Sequence, residues 1–341
     1  MTAPTEAPPG LPLPAQYARL AMGAAITQML RIAARLKLAD QIGDGPKTAA
    51  ELAEANDVNP DALYRMLRAL AAEGVFAERE DGAFEMTDLA QFLRSNAMGP
   101  IARHWGADWH YAAWGALEHS IKTGEPAFPV VHGVDHFTYL SEHPDAAEEF
   151  DASMTATSTI PDLAVLQAYD GFEGVGVLAD VGGGQGKLLA SILERHPDMR
   201  GVLHERPEVL EAAKAHLEGA GMLDRVTLSP GDFFVDAPAG ADAYILTRVL
   251  HDWEDTKAIE ILKRIREHMA PDAKVLTIEA VIPPGNTPFL GKIIDVGMLT
   301  LFGGRERTYE QYAALYEAAG LGLDRVVTTF TPFSILEGTA R

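Results

Sequence analysis

The stretch Leu178-Ala-Asp-Val-Gly-Gly-Gly-Gln-Gly-Lys187 decides how the rest of the chain is read. Apolar residues around one acid, Asp180, lead into Gly182, Gly183, Gly184 and Gly186, and the run Leu188 to Arg195 follows with helix-like spacing. The pattern predicts a strand, a glycine turn and a helix. Glycine is needed where a turn takes positive φ or where a ligand lies against bare backbone, and the helix start beyond presents unpaired N–H groups. A nucleotide-like ligand fits such an edge.

Spacing narrows the ligand. A dinucleotide fingerprint needs a third glycine three residues after the second, but Lys187 stands there, so the pattern is G-x-G-x-G. Acids then recur at later strand ends: Glu205 closes Gly201-Val-Leu-His-Glu205, and Asp232 closes Val226-Thr-Leu-Ser-Pro-Gly-Asp232. One acid can accept two ribose hydroxyl hydrogen bonds and the next can take the exocyclic amine of an adenine. The series suits S-adenosylmethionine better than NAD, and an α/β turn without a ligand is the plain alternative.

Downstream, strands and helices alternate. Strands are expected at Val175 to Val181, Gly201 to Glu205, Val226 to Leu228, Ala243 to Leu250 and Lys274 to Val281, with a closing pair at Leu323 to Phe330 and Phe333 to Glu337. Helices are expected at Gly186 to His196, Pro207 to Gly219, Asp255 to Met269 and Thr308 to Ala319. This is an α/β fold with a mostly parallel sheet, helices on both faces and ligands at the carboxyl ends of the strands. The tight Thr331-Pro332 link makes the last two strands antiparallel.

Upstream, residues 1–14 carry five prolines and read as a disordered leader. From Tyr17 the apolar residues Leu20, Ala21, Ala24, Ala25, Met29, Ile32, Ala33 and Leu36 keep a helical period, with Ile26 and Leu30 widening it beyond what one small core needs. That excess implies a partner chain. Two further helical segments broken at Asn59-Pro60, then short strands at Val75 to Glu78 and Ala83 to Met86, make residues 15–98 a mainly helical, winged-helix-like segment. Its second helix offers Arg65 and Arg68 but commits Leu63, Leu67, Leu70 and Ala71 to packing amid acidic surroundings, so dimerisation suits it better than reading DNA. Residues 99–170 are helical and aromatic, with His104, Trp105, Trp109, His110, Tyr111 and Trp114 close together and Phe128, Phe137, Tyr139, Phe150 and Met154 following. Such residues are often plain core; their density marks the wall of a pocket for a flat, partly apolar substrate. Residues 171–341 form the ligand-binding domain.

Composition sets outer bounds. A chain of 341 residues with 47% apolar residues has room for two cores. The formal charge of -21 opposes general affinity for nucleic acid or an anionic membrane and suits the cytoplasm. No cysteine is present, which excludes disulfides, thiolate nucleophiles and cysteine zinc sites. No signal peptide is visible, and no apolar run approaches the roughly 20 residues that span a bilayer.

Leu250-His251-Asp252-Trp253 follows the fourth strand, at the same sheet edge as the glycine turn. An imidazole there can take a proton from an acceptor hydroxyl, although its ordinary pKa of about 6.5 lies about 3.5 units below a phenol's. A neighbouring carboxylate would raise its basicity and fix its tautomer. Glu279, ending the fifth strand, and Glu306, in Gly303-Gly-Arg-Glu-Arg-Thr308, are the candidates. The bland readings are a surface loop histidine and a helix-start charge.

Together, Asp180-Val-Gly-Gly-Gly-Gln-Gly186, Gly231-Asp-Phe-Phe234, Leu250-His-Asp-Trp253 and Gly303-Gly-Arg-Glu-Arg-Thr308, behind a winged-helix segment, resemble the S-adenosylmethionine-dependent O-methyltransferases of the caffeate and hydroxyindole type. The resemblance covers nearly the whole chain past the leader. It implies a class I methyltransferase, Rossmann-like in its sheet, and a swapped homodimer whose N-terminal domain lends residues to the neighbour's pocket. It implies His251 as general base flanked by Glu279 and Glu306. It places Gly182 and Gly184 against the methionine part of the cofactor, Glu205 on the ribose, and Asp232 with Phe233 about the adenine, with Asp180, Arg206 and Arg248 completing the cofactor set. Ser158 would reach the amino-acid end. Trp109, Phe150, Met154, Asp252, Met298 and Phe302 would meet an aromatic acceptor. Plant members carry lysine four residues before the histidine, where this chain has Thr247 followed by Arg248, and Glu205 replaces their commoner aspartate. The expected activity is methyl transfer to an aromatic hydroxyl without a metal. Hydroxylation or decarboxylation on the same scaffold, a nitrogen acceptor and a winged-helix ligand-responsive regulator are the rivals.

Overall fold

The computed structural model describes residues 12–341. Most of the expected leader lies outside the described residues. Its last part does not stay irregular: a helix runs over Leu13–Ala21 with Pro14 in its first turn, where the missing N–H has no intrahelical partner to lose. The chain forms two units, one containing residues up to Ala112 with Phe137–Ser158, the other Ala113–His136 with Thr159–Arg341.

In the first unit, Thr48 starts the helix Ala49–Asn56 with a reciprocal capping box to Glu51, and Asn59 caps Pro60–Ala72 by accepting from the Ala62 N–H at 2.9 Å. Strands β1 (Lys47–Thr48), β2 (Phe76–Glu78) and β3 (Ala83–Met86) form a small antiparallel wing in the order β1-β3-β2. Leu63, Leu67 and Leu70 are buried with Leu38, Leu52, Phe76 and Phe84, so the face expected to pack does pack. Arg65 and Arg68 stay exposed, and Arg68 lies over the Tyr64 ring. Leu13, Tyr17, Leu20 and Met22 are 62–82% exposed, an apolar face that this chain leaves uncovered.

The second unit carries a seven-stranded sheet: β4 (Val177–Val181), β5 (Arg200–Glu205), β6 (Val226–Pro230), β7 (Ala243–Thr247), β8 (Lys274–Ala280), β9 (Leu321–Thr328) and β10 (Phe333–Ala340). Their order is β6-β5-β4-β7-β8-β10-β9, and all pairings are parallel except those of β10, which is antiparallel to both neighbours. The order reverses between β4 and β7, where an open α/β sheet forms its ligand crevice. Central β4 is buried on both faces: Leu178 joins Leu189, Ile192, Leu203 and Ile245, while Ala179 and Val181 join Tyr244, Leu246, Ile261 and Leu262 on the other side.

Two differences from the expected pattern shape the site. Strand β7 stops at Thr247 instead of Leu250, because Arg248 takes a left-handed φ of 54° and Leu250–Asp252 close into a 3₁₀ turn. The helix Gly291–Leu301 was not foreseen; its glycines and β-branched residues have low helical propensity, and tertiary packing around buried Gly297, Thr300 and Leu301 overrides it. Among the described residues no helix is long and apolar enough to cross a membrane.

Candidate active site

The glycine turn has the strand-turn-helix form and the positive φ expected of it. Gly182 and Gly184 hold φ of 71° and 56°, and a Cβ on Gly182 would come within 3.0 Å of Val249. A Cβ on Gly183 would run into the Asp180 carboxyl, whereas beside Gly184 the space is open. Glu205, at the end of β5, accepts from the Gly184 N–H at 3.2 Å and the Arg206 N–H at 2.8 Å. Beyond β6, Asp232 accepts from the Phe234 N–H at 2.9 Å. Phe233, Phe234 and Trp253 pack edge to face, joining this loop to the turn after β7.

These residues fit the implied cofactor on grounds of their own chemistry. The turn offers bare backbone, two strand-end acids offer acceptors, and Asp180 Oδ1 is buried with no hydrogen-bond partner among the described residues. Burial, with the Asp162 and Glu205 charges, pushes Asp180 up to about 8, so a cationic amino group would be welcome there. Asp162, on the helix Pro144–Ala168, was not anticipated from sequence. Burial raises it to about 6, opposed by the charges of Arg248 and Lys187, and its only sequence signal was an acid standing apart from Asp145, Glu148, Glu149 and Asp151 earlier in the same helix. Arg248 is partly buried, with its guanidinium 5.6 Å from the Phe333 ring centroid.

On the other side of the reversal, three distant segments converge. Glu279 on β8 accepts from the Val249 and Leu250 N–H groups at 3.2 and 2.8 Å through Oε1, and its Oε2 lies 3.8 Å from His251 Nδ1. Glu306 Oε1 lies 2.8 Å from the same Nδ1. Both glutamate side chains are fully buried, while those of His251 and Asp252 are 11% and 26% exposed. On the open side of the ring, Nε2 stands 3.5 Å from Asp252 Oδ1. Burial alone would drive the imidazole toward its neutral form; the charges of Asp252 and Glu279 and the hydrogen bond that the ring donates to Glu306 together outweigh it and raise His251 to about 10. Burial likewise raises Glu279 and Asp252. The ligand atoms of His251, Glu279 and Glu306 lie within 4.8 Å of one another, a spacing that could gather a cation, but the Nδ1 to Glu306 bond gives that space to a proton.

Arg307, next to Glu306, is fully buried and ties the cluster together. It donates to Asp255 through Nε at 2.9 Å and Nη2 at 2.8 Å, to Leu250 O at 2.9 Å and to Trp253 O at 2.7 Å. The Arg305 N–H adds a 2.8 Å bond to His251 O, and a Cβ on Gly304 would strike the same carbonyl. The arginine stood inside a quoted motif, but nothing in its spacing revealed that it clamps the histidine turn.

The remaining expected residues divide. Met298 and Phe302 lie at the end of the Gly291–Leu301 helix, where Phe302 packs 4.4 Å from the His136 ring and Asp295 accepts from the Glu306 N–H at 2.9 Å. Trp109, Phe150, Met154 and Ser158 belong to the first unit. There His104 lies between Trp109 and Phe150, at 5.1 and 5.4 Å, and burial lowers it to about 4, which keeps it neutral and the wall apolar. Ser158 Oγ donates to Met154 O at 2.6 Å. A cavity of about 410 Å³ in that unit is lined by Trp109, Tyr139, His143 and acids including Glu142 and Glu149.

The chain is similar along most of its length to known proteins. Residues 114–322 match the O-methyltransferase domain and residues 18–96 the O-methyltransferase dimerisation domain. The chain is 40% identical over 330 residues to the phenazine O-methyltransferase PhzM of Lysobacter antibioticus, covering 96% of each. It is 36% identical over 334 residues to the aclacinomycin 10-hydroxylase RdmB of Streptomyces purpurascens, covering 94% of this chain and 89% of that one. Among solved structures, an O-methyltransferase from neocarzinostatin biosynthesis in complex with S-adenosylmethionine and 2-hydroxy-5-methyl naphthoic acid aligns with a TM-score of 0.75 at 34% identity, over 93% of this chain and 96% of that one. With the glycine turn, the strand-end acids and the buried histidine all placed on one sheet edge, the chain belongs to the O-methyltransferase family.

Proposed function

We propose that this enzyme transfers a methyl group from S-adenosylmethionine to a hydroxyl of an aromatic natural product of polyketide, phenazine or flavonoid type, with His251 as general base. The observation that carries the reading is the buried 2.8 Å contact between His251 Nδ1 and Glu306, at the strand-end edge that also holds the glycine turn. When bound, the cofactor supplies a methyl group already activated by its sulfonium. Gly182 and Gly184 would bear its methionine part, with Asp180 toward the amino group and Arg248 and Ser158 toward the amino-acid end. Glu205 and Arg206 would hold the ribose side, and Asp232 and Phe233 the adenine.

What remains for the chain is alignment and removal of one proton. Glu306 keeps a proton on Nδ1, so Nε2 is the atom that takes the acceptor's proton. A phenol's pKa is about 10, and the ring's is also about 10, so the mismatch expected for an ordinary imidazole closes inside the folded site. Trp109, Phe150, Met154, Met298 and Phe302 would bound the flat acceptor. The apolar face of Leu13, Tyr17, Leu20 and Met22, which runs into the segment from residue 18 that matches a dimerisation domain, supports a homodimer. The net charge of -21 suits the cytoplasm.

Incubation of the purified protein with methyl-labelled S-adenosylmethionine and a panel of phenolic compounds tests the reading: label in a product heavier by one methylene unit is expected. Calorimetry that detects uptake of neither the cofactor nor its demethylated form would overturn it. Similarity to a hydroxylase supports a second reading, cofactor use without methyl transfer, and a product that gains oxygen or loses a carboxyl would favour it.

A further inference from the structure

We infer that Asp295, on the helix Gly291–Leu301, is a positioning residue for the base: it holds Glu306 where the glutamate carboxylate meets His251 Nδ1. The inference rests on His251 acting as general base. It starts from the loop that carries Glu306. That loop joins the Asp295 helix to the helix Tyr309–Ala318 and opens on two glycines, Gly303, at a left-handed φ of 79°, and Gly304. Two adjacent glycines leave the backbone many ways to place Glu306, so local structure does not choose among them. Three bonds to distant segments do. The Arg305 N–H donates to His251 O at 2.8 Å, the Glu306 N–H donates to Asp295 Oδ1 at 2.9 Å, and the Arg307 carbonyl accepts from the Ile282 N–H at 2.9 Å.

Of these three bonds, the one at Glu306 itself is made by a side chain, so a substitution can delete it and leave the others in place. Asp295 is partly buried. Burial and the Glu306 charge raise its carboxyl, while the Glu306 N–H and the charges of Arg305 and Arg307 oppose them. The groups that face His251 are Asp252 on its own turn, Glu279 on β8 and Glu306 on the loop, and the Arg248 charge acts on all three carboxylates. Those three acids raise the ring, and Asp295 reaches it through the position of Glu306. Without Asp295 the Glu306 N–H loses its acceptor, the glycine loop relaxes, and the ring keeps less of the hydrogen bond that it donates to Glu306. Its proton affinity then falls toward that of an ordinary imidazole. Met298 and Phe302 follow Asp295 at spacings that share one helix face, so the residues proposed to bound the acceptor and the carboxylate behind the base are fastened at one point.

The test follows the titration of His251 by NMR of ring-labelled histidine, assigned with His251→Ala, in the intact enzyme bound to S-adenosylhomocysteine, and compares Asp295→Asn with Asp295→Ala. Asn keeps a side-chain oxygen that accepts from the Glu306 N–H, so in D295N the ring should titrate as in the wild type, near about 10. In D295A it should titrate about one unit lower, a tenfold change in proton affinity and within what loss of a hydrogen bond to a charged group produces. Affinity for S-adenosylhomocysteine should stay within a few-fold in both variants, which shows that they are folded. With an acceptor that the phenolic panel identifies, kcat should fall about tenfold in D295A, a part of what a general base contributes, and be rescued in D295N. A panel without a methylated product removes the methyl-transfer reading, and the NMR titration still decides the role of Asp295. The same titration in all three proteins overturns the inference. Equal lowering in D295N and D295A overturns it too, by making the charge of Asp295 responsible and not its bond. If D295A does not fold, Asp295→Glu takes its place: it keeps the charge but moves the acceptor oxygen by one methylene, and an unshifted His251 there overturns the inference.

Discussion

The two halves of the strand-end edge are built by different means. Beside β4, β5 and β6 the acids are fastened close to home: Glu205 to its neighbour Arg206 and to the glycine turn, Asp232 to a residue two places on. Beside β7 and β8, Glu279 reaches Leu250 across 29 residues and Glu306 reaches His251 across 55, and their charges are buried together. Loss of one acid from the first half leaves a formed backbone cradle. Loss of one member from the second leaves a buried charge without its counterpart, which is far more disruptive. Substitutions should therefore divide cleanly, with cofactor affinity falling on one side and turnover or folding on the other.

His251→Ala is the strongest way to break that division. Removing the base should lower kcat by about 10²- to 10⁴-fold, while calorimetry on S-adenosylhomocysteine should find affinity changed by no more than a few-fold. The wild-type pH profile sharpens the point. The ring must be neutral to take a proton and is raised to about 10, so turnover should climb as pH rises toward that value. The sign for stability is opposite: a raised histidine pKa stabilises the fold fully below its ordinary value of about 6.5 and loses that contribution as pH rises through about 10. A turnover that is flat from neutral pH upward would remove His251 as the base.

Next in size is Arg307→Met. This fully buried guanidinium faces half-exposed Asp255 and two carbonyls, and leaving a buried acceptor unsatisfied costs about 1–3 kcal/mol. Chemical denaturation should show a loss of that order. Asp255→Asn, whose carboxyl is half exposed, should be much milder in stability yet still lower kcat more than it weakens cofactor binding, because the clamp on the histidine turn is loosened. Equal effects on both quantities would mean that Arg307 only supports the fold.

What could be read from sequence follows the same divide. The glycine turn, Glu205 and Asp232 were legible because each sits at the end of its own strand, and β4, β7 and β8 were legible because parallel strands buried on both faces read as apolar runs. The histidine and both glutamates were found as separate candidates, and only the sheet order brings β7 beside β8 and the 303–308 loop under the turn. Arg307 and Asp162 escaped notice because their roles depend on partners far along the chain. The Gly291–Leu301 helix escaped for a different reason: packing, not propensity, makes it helical.

Glu205→Ala should produce the mirror image of the base variant at smaller magnitude. Hydrogen bonds to a charged group are worth about 1.5–3 kcal/mol, so cofactor Kd should rise by about tenfold to a hundredfold, and kcat at saturating cofactor should fall by less. A larger loss in kcat than in affinity would place Glu205 outside the binding cradle.

The smallest expected effect tests whether the cofactor half is as locally built as its acids suggest. His204, buried on β5 just before Glu205, lies under the loop that carries Asp232 and Phe233. Its Nδ1 is 3.2 Å from Ser229 Oγ, its Nε2 is 3.6 Å from Asp236, and Gly231 packs so closely on the ring that a Cβ there would collide with it. His204 O also accepts from the Gly182 N–H at 2.9 Å, so one residue touches both the glycine turn and the adenine-side loop. His204→Phe keeps a flat ring beneath Gly231 and the backbone bond to Gly182 while deleting the polar contacts of the side chain. A neutral hydrogen bond contributes about 0.5–1.5 kcal/mol, so cofactor Kd should weaken by about twofold to tenfold with kcat little altered. If affinity is untouched, the Asp232 to Phe234 bond and the Arg264 bond to Phe234 O at 3.1 Å hold the loop by themselves, and this half of the edge is local throughout.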